Sequence, residues 1–228
     1  MNSEQVEPLG VVVIGQSPRP AIVSELRHYL NPALPLDLRG ALDRLSRPEI
    51  DAMEPVSSQD TLFTRLPDGS AVVISKKQVC AGAEAILAEM AADGIKAAMM
   101  CCTGAFPPIA SPIPILYPSE LIRALAEAAL PTGRLALVTP LASQFEQAYE
   151  KWSRPGVTLE VFDLVPELAP GEEVTALARK LAEFRPDLVV LDCMSYREAT
   201  RRLLRQTLSV PIILAISATA RILEELSV

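Results

Sequence analysis

Four cysteines, Cys80, Cys101, Cys102 and Cys193, and one histidine, His28, are the residues with which this chain could do nucleophilic or acid/base chemistry. The cysteine spacing fits neither a disulfide framework nor a Cys-x-x-Cys zinc pattern, and a bridge between the adjacent Cys101 and Cys102 would be strained. Free thiols follow as the expectation. His28 falls in the helical stretch Glu25-Leu-Arg-His-Tyr-Leu30, which argues against a Ser-His-Asp or Cys-His mechanism. One histidine is also too few for a histidine-rich metal site, which leaves only carboxylates and thiolates as possible ligands, and no metal is expected.

A thiol gains acid/base power where a strand ends before a helix, because amide donors and the positive end of the helix dipole stabilise the thiolate. The segments that follow the apolar runs are small and polar: Gly15-Gln16-Ser17-Pro18-Arg19, Cys102-Thr103-Gly104, Thr139-Pro140-Leu141-Ala142-Ser143 and Asp192-Cys193-Met194-Ser195-Tyr196. In open parallel sheets ligands gather at such strand ends, so these residues are the candidate site. Cys102 and Cys193 stand in separate halves of the chain and would bracket a ligand. Cys101 and Cys102 point to opposite faces if both are in strand geometry, and Cys102, beside the turn Thr103-Gly104, is the one expected to face a ligand. Cys80 lies in a helical run without polar neighbours and reads as packing.

Several of these residues have a second reading. Ser17 before Pro18 is also a helix N-cap with proline at the first helical position, and Ser195-x-x-Glu198 is also a capping box. Arg19 and Arg197, in first helical turns where the dipole disfavours a cation, either reach for a substrate carboxylate or are solvated surface residues. Asp192 is either a local acid or an acidic neighbour of a helix N-terminus. The first loop has neither the Gly-x-Gly-x-x-Gly nor the Gly-Lys-Ser/Thr pattern, so nucleotide binding has no support.

The elements that must position these groups follow from periodicity. Short apolar runs alternate with stretches of 3.6-residue period, the pattern of a mostly parallel sheet covered by helices, so the fold class is α/β. Strands are expected at Val11–Ile14, Ala71–Ile74, Lys96–Cys101, Leu135–Val138, Leu188–Leu191 and Val210–Leu214, with weaker candidates at Leu36–Leu38, Ile113–Leu116 and Leu159–Phe162. Helices are expected at Pro18–Leu30, Lys76–Ala92, Ser119–Leu130, Ser143–Trp152, Glu172–Phe184, Tyr196–Thr207 and Ala218–Leu226. An internal echo pairs Val11-Val-Val-Ile-Gly with Leu135-Ala-Leu-Val-Thr and Ala97-Ala-Met-Met-Cys-Cys with Leu188-Val-Val-Leu-Asp-Cys, which points to two related halves. The turn-rich segment Arg39–Ser70 reads as an insertion in the first. The proline-rich stretch Pro107–Pro114 reads as the passage between them, giving halves of 1–110, with 208–228 as a candidate return to it, and 111–207.

The net charge of −7 over 228 residues, with no basic cluster larger than a pair, leaves no footprint for a polyanion, so no nucleic acid is expected as partner. Half of the residues are hydrophobic and 21% are charged, which excludes a disordered chain. No apolar run reaches the ~18 residues of a membrane span, and the opening Met1-Asn-Ser-Glu-Gln-Val-Glu lacks the basic and apolar regions of a signal peptide. A soluble, cytoplasmic protein without a membrane partner is the expectation.

Taken together, Ile14-Gly-Gln-Ser-Pro-Arg19, Arg39-Gly-Ala-Leu-Asp43 with Leu45-Ser46, Cys102-Thr-Gly-Ala-Phe-Pro107 and Leu191-Asp-Cys-Met-Ser-Tyr196 resemble the AroM family over nearly the whole chain. That family is similar to the aspartate/glutamate racemase superfamily, which implies two similar parallel-sheet halves with a cleft between them and one cysteine from each half. Cys102 and Cys193 match those positions. The resemblance implies cofactor-independent chemistry on a small carboxylate, in which one thiolate removes an α-proton and the opposite thiol returns one. It also implies Ser17, Arg19, Thr103 and Thr139 as stabilisers of the enolate-like intermediate, and a homo-oligomer. The match departs at Gln16-Ser17, where amino-acid racemases commonly carry an acid. The competing readings are a non-catalytic protein that binds a carboxylate metabolite, and a cysteine-dependent decarboxylase or cis-trans isomerase. A thiol redox protein is disfavoured, because cysteines on opposite sides of a cleft are too far apart to bridge.

Overall fold

The computed structural model describes residues 7–166 and 171–227. The chain forms two compact units, one built from the residues up to Pro118 and joined by those from Ala220 onward, the other from Ser119–Thr219. Each is organised around a four-stranded, wholly parallel sheet.

The first unit contains β1 (Leu9–Val13), α1 (Pro20–Arg27), β2 (Leu36–Gly40), α2 (Arg47–Asp51), β3 (Thr61–Arg65), β4 (Ala71–Ser75), α3 (Lys76–Ala92), β5 (Ala98–Met100) and β6 (Ile115–Leu116). Its sheet runs β2-β1-β5-β6. The second unit contains α4 (Pro118–Ala129, its first residue belonging to the other unit), β7 (Gly133–Thr139), α5 (Phe145–Trp152), β8 (Val157–Asp163), α6 (Glu172–Phe184), β9 (Leu188–Leu191), α7 (Glu198–Thr207) and β10 (Ile212–Leu214), and its sheet runs β10-β9-β7-β8. Helix α8 (Ala215–Glu224) runs from one unit into the other. The two sheets have the same topology: first strand inside, second at one edge, third beside the first, fourth at the other edge. Strands β1 and β7 correspond, as do β5 and β9, which are the pairs that echo each other in sequence.

The interior strands are apolar throughout because helices cover both faces of a parallel sheet. All five residues of β1 and all four of β9 are buried. Helix α3 turns Val79, Ala83, Ile86, Leu87 and Met90 inward, the stripe its periodicity predicts. No described helix is long and apolar enough to cross a membrane.

Three expectations are corrected. The strand at Ala71–Ser75 belongs to neither parallel sheet; it pairs antiparallel with β3, Leu62 opposite Ile74 and Thr64 opposite Val72, around a turn where Gly69 takes a positive φ of 86°. The alternating burial of β4 is that of a hairpin with one wet face. The proline-rich stretch stays inside the first unit, since Ile115 and Leu116 pair with Ala98 and Met99 and complete the first sheet. An extended proline-rich chain is suited to reaching that open edge, and the crossing comes after it, at Pro118. Residues 212–214 pair with β9 and complete the second sheet, so the chain re-enters the first unit only at Ala220, not at 208.

Candidate active site

In the first unit the register Val12 opposite Met100 brings the loop after β1 and the loop after β5 out of the same edge of the sheet. Cys101 is buried at 5% exposure and its N–H donates to the Val12 carbonyl, whereas Cys102, just past the strand, is half-buried. The Gly104 N–H donates to Cys102 Sγ at 3.3 Å. Around this turn lie Leu62 of β3 and Phe106, whose side-chain atoms stand 3.4 and 3.6 Å from where a Cβ on Gly104 would sit.

The loop after β1 is held by its neighbours. Gln16 donates its amide to the carbonyls of Leu42 and Leu45 at 3.2 and 3.1 Å. Ser17 donates both its N–H, at 2.6 Å, and its hydroxyl, at 2.7 Å, to Asp43, whose carboxylate also accepts the Gly40 N–H at 2.7 Å. Arg19 donates to the carbonyl of Arg65 at 2.6 Å. Ser17 therefore caps no helix: α1 starts at Pro20 with Arg19 at the cap position and no side-chain cap. Ser17 and Arg19 line an open groove of about 430 Å³ with Pro18, Val23 and Leu38, and neither Cys102 nor Thr103 is among its walls. Thr64 and Leu62, on the inner face of the hairpin, abut Gly15 and Gly104 respectively, so the Arg39–Ser70 insertion covers both loops of the candidate site.

The second unit repeats the cysteine turn. After β9 the Ser195 N–H donates to Cys193 Sγ at 3.4 Å, and Cys193 is half-buried. The capping box at Ser195 does not form. Helix α7 starts at Glu198, with Arg197 at the cap position, and Glu198 pairs with Arg201 instead of reaching back. Asp192 is neither a helix neighbour nor an open acid. It is 8% exposed, accepts Lys151 Nζ at 3.1 and 3.3 Å and accepts the Trp152 indole N–H at 2.9 Å.

Two expected ligand groups face inward. Tyr196 is fully buried with its hydroxyl on the Leu164 carbonyl at 2.6 Å, and Thr139 is 4% exposed with its hydroxyl directed to the carbonyls of Leu141 and Phe162, 3.4 Å away. Ser143 is exposed in the short turn Ala142–Gln144. Cys80 is buried on α3, where burial pushes its thiol above the ordinary cysteine range. Among the described residues no cluster of metal-ligating side chains occurs.

A model of the AroM protein family matches residues 9–227. The chain belongs to that family. Among solved structures this AroM protein is similar to allantoin racemase from Klebsiella pneumoniae, at 16% identity and TM-score 0.62, with 96% of this chain and 87% of that chain covered. It is also similar to maleate isomerase Iso from Pseudomonas putida S16, at 14% identity and TM-score 0.58, covering 94% and 90% of the two chains. Arylmalonate decarboxylase matches at 13% identity and TM-score 0.61, covering 96% and 92%. No curated protein matches the sequence. At such identities the likeness establishes the fold, two parallel-sheet α/β halves of the racemase-like kind.

Sequence reasoning missed Asp43, Leu62, Thr64, Phe106, Lys151 and Trp152. Asp43 lies three residues past β2, and scanning that strand end like the others finds it. The alternation Thr61-Leu-Phe-Thr-Arg65 before the turn Asp68-Gly69 is a hairpin signal for Leu62 and Thr64. Nothing in the sequence marks Lys151 or Trp152 as partners of a residue 41 and 40 positions away.

Proposed function

We propose that this AroM protein is a cofactor-independent isomerase or racemase of a small carboxylate, with Cys102 and Cys193 as its acid/base pair. The observation that carries the reading is the repetition of one device: a half-buried cysteine just beyond the third strand of each sheet, its sulfur accepting the N–H of the residue two positions on. An N–H donated to sulfur favours thiolate over thiol, and a thiolate can abstract the acidic proton α to a carboxylate. The partner thiol then returns a proton, so the two exchange roles with the handedness of the substrate. Backbone amides of the two turns serve the developing negative charge.

The state of Asp43 bears on the substrate. Its carboxylate already accepts three protein donors, so the first loop offers no free acid for an α-amino group. That supports a carbon acid other than an α-amino acid. The same thiols also suit a decarboxylation, in which one of them protonates the carbanion left by CO2.

The test is NMR-detected exchange of substrate Cα protons for solvent deuterium, over α-substituted carboxylates, dicarboxylates and amino acids. Exchange abolished by Cys102→Ser and by Cys193→Ser supports the pair. Exchange that survives either substitution, or ligand binding without any exchange or product, overturns it in favour of a binding protein.

A further inference from the structure

Cys102 and Cys193 share a turn but not an electrostatic setting. No charged residue occurs between Lys96 and Glu120, so the chain around Cys102 is neutral. Cys193 directly follows Asp192, a carboxylate 7% exposed at its side chain, and the partner of that carboxylate, Lys151 of α5, is itself only 16% exposed and stacks its cation 5.1 Å over the Trp152 ring. Trp152 is buried at 1% and donates its indole N–H to the same carboxylate. A buried ion pair is costly to desolvate and contributes little net stability, so its presence beside a thiol of the candidate site asks for another role.

We infer that the Lys151–Asp192 pair is a positioning and tuning device for Cys193: it balances a buried negative charge beside the thiol with a positive one, and so sets how readily Cys193 gives up its proton independently of Cys102. The other charged groups brought to this end of the sheet are Arg201 and Glu198 of α7, paired with each other, exposed Arg197 at its cap, and exposed Asp163 at the end of β8. Two further polar groups there, Thr139 and Tyr196, are directed to backbone carbonyls. Of these two ion pairs, Lys151–Asp192 holds the more deeply buried carboxylate, 7% exposed against 20% for Glu198, and Asp192 is the one adjacent to Cys193 in the chain. A unit charge about 7 Å from a thiol, in an effective dielectric of about 20, shifts it by roughly one pKa unit after screening, about tenfold in thiolate fraction.

The inference rests on the two-thiol reading only for its catalytic meaning, and its test contains no substrate. Rates of alkylation of Cys102, Cys193 and Cys80 by iodoacetamide, with loss of iodide, are followed residue by residue by mass spectrometry at neutral pH. In Lys151→Gln the carboxylate loses its counter-charge, and Cys193 slows about tenfold. In Asp192→Asn the cation is left alone, and Cys193 speeds up by up to about tenfold. Cys102 stays within twofold in both, and the double variant returns Cys193 toward the native rate. A purely structural clamp would instead loosen the turn in either variant and change Cys193 in the same direction; that result, or a Cys193 rate within twofold of native in both, overturns the inference. Buried Cys80 reports opening of the fold. Should it react in a single variant, the double variant, with no lone buried charge, decides: a Cys193 rate within twofold of native supports the inference and any other rate overturns it. Absence of substrate exchange in the deuterium assay would remove the two-thiol reading and leave this result standing.

Discussion

Replacing Gly40 by alanine tests whether the loop after β1 is held by the packing beneath it. A Cβ at that position would lie 2.5 Å from the Gly15 carbonyl oxygen, 2.5 Å from Asp43 Oδ1 and 2.7 Å from the Ser17 nitrogen. Ordinary contacts begin near 3.4 Å, so the methyl is short of room by 0.7 to 0.9 Å in three directions, two of them backbone. Asp43 can swing away only by releasing the Ser17 and Gly40 hydrogen bonds, and Gly15 and Ser17 move only with their loop. Overpacking of this kind costs about 1–3 kcal/mol. Loss of three partly exposed hydrogen bonds adds about 1.5 kcal/mol more, at the low end of about 0.5 each. The expected total of about 2.5–4.5 kcal/mol lowers the melting temperature by about 5–18 °C, at roughly 2–4 °C per kcal/mol for a chain of this size. Calorimetry of Gly40→Ala, Asp43→Ala and the double variant measures it. Because both substitutions act on one contact, the double variant loses less than the sum of the singles. A Gly40→Ala melting point within 2 °C of native, or strict additivity with Asp43→Ala, refutes the argument that Gly40 and Asp43 jointly fix the loop.

Gly104→Ala is the contrasting case: its Cβ meets Leu62, Cys102 Sγ and Phe106 at 3.4 to 3.6 Å, ordinary contact, so the unfolding free energy stays within about 0.5 kcal/mol of native while alkylation of Cys102 slows, and a fast-reacting Cys102 contradicts this. Tyr196→Phe removes a fully buried hydroxyl from the Leu164 carbonyl and costs about 1–2 kcal/mol in denaturant unfolding with ligand binding unchanged; unchanged stability with weakened binding makes Tyr196 a ligand group after all. Asp60 accepts the N–H groups of Lys77 and Val56, and the Lys77 amide first of all holds its carboxyl below the ordinary value of 3.8. A depressed carboxylate stabilises the fold above that ordinary value and loses the effect as pH falls through the folded one, so Asp60→Asn is less stable than native at pH 7 and the two converge in acid melts. A gap that persists in acid refutes the assignment.

What could be read from the sequence was what short-range physics decides. The strand Leu188–Leu191 and the helices Lys76–Ala92 and Glu172–Phe184 have the expected bounds, because a fully buried strand needs an unbroken apolar run and a covering helix needs an apolar stripe. The cap signals at Ser17 and Ser195 misled because each residue had a stronger competitor: the Asp43 carboxylate takes the Ser17 donors, and Arg201 takes the Glu198 carboxylate that a capping box would require. A local motif states what a side chain can do, and the tertiary structure decides which partner it meets.

The candidate site divides along the same line. The strand-end rule is local, and it places Cys102 and Cys193 in matching turns whose hydrogen bonds close within two residues. The contacts that hold the rest of the candidate site come from far away in sequence: Asp43 reaches Ser17 across 26 positions, Arg19 reaches Arg65 across 46, and Lys151 reaches Asp192 across 41. The shared sheet topology of the two units accounts for the matching thiols but not for their settings. Both halves have the sheet, the turn and the cysteine, whereas among the described residues the hairpin of Arg39–Ser70 occurs in the first alone and the buried Lys151–Asp192 pair adjoins the second cysteine. The hairpin sets Leu62 and Thr64 against the loops of the first unit, and the ion pair stands beside the thiol of the second. Differences between the two thiols should therefore trace to these additions and not to the shared scaffold.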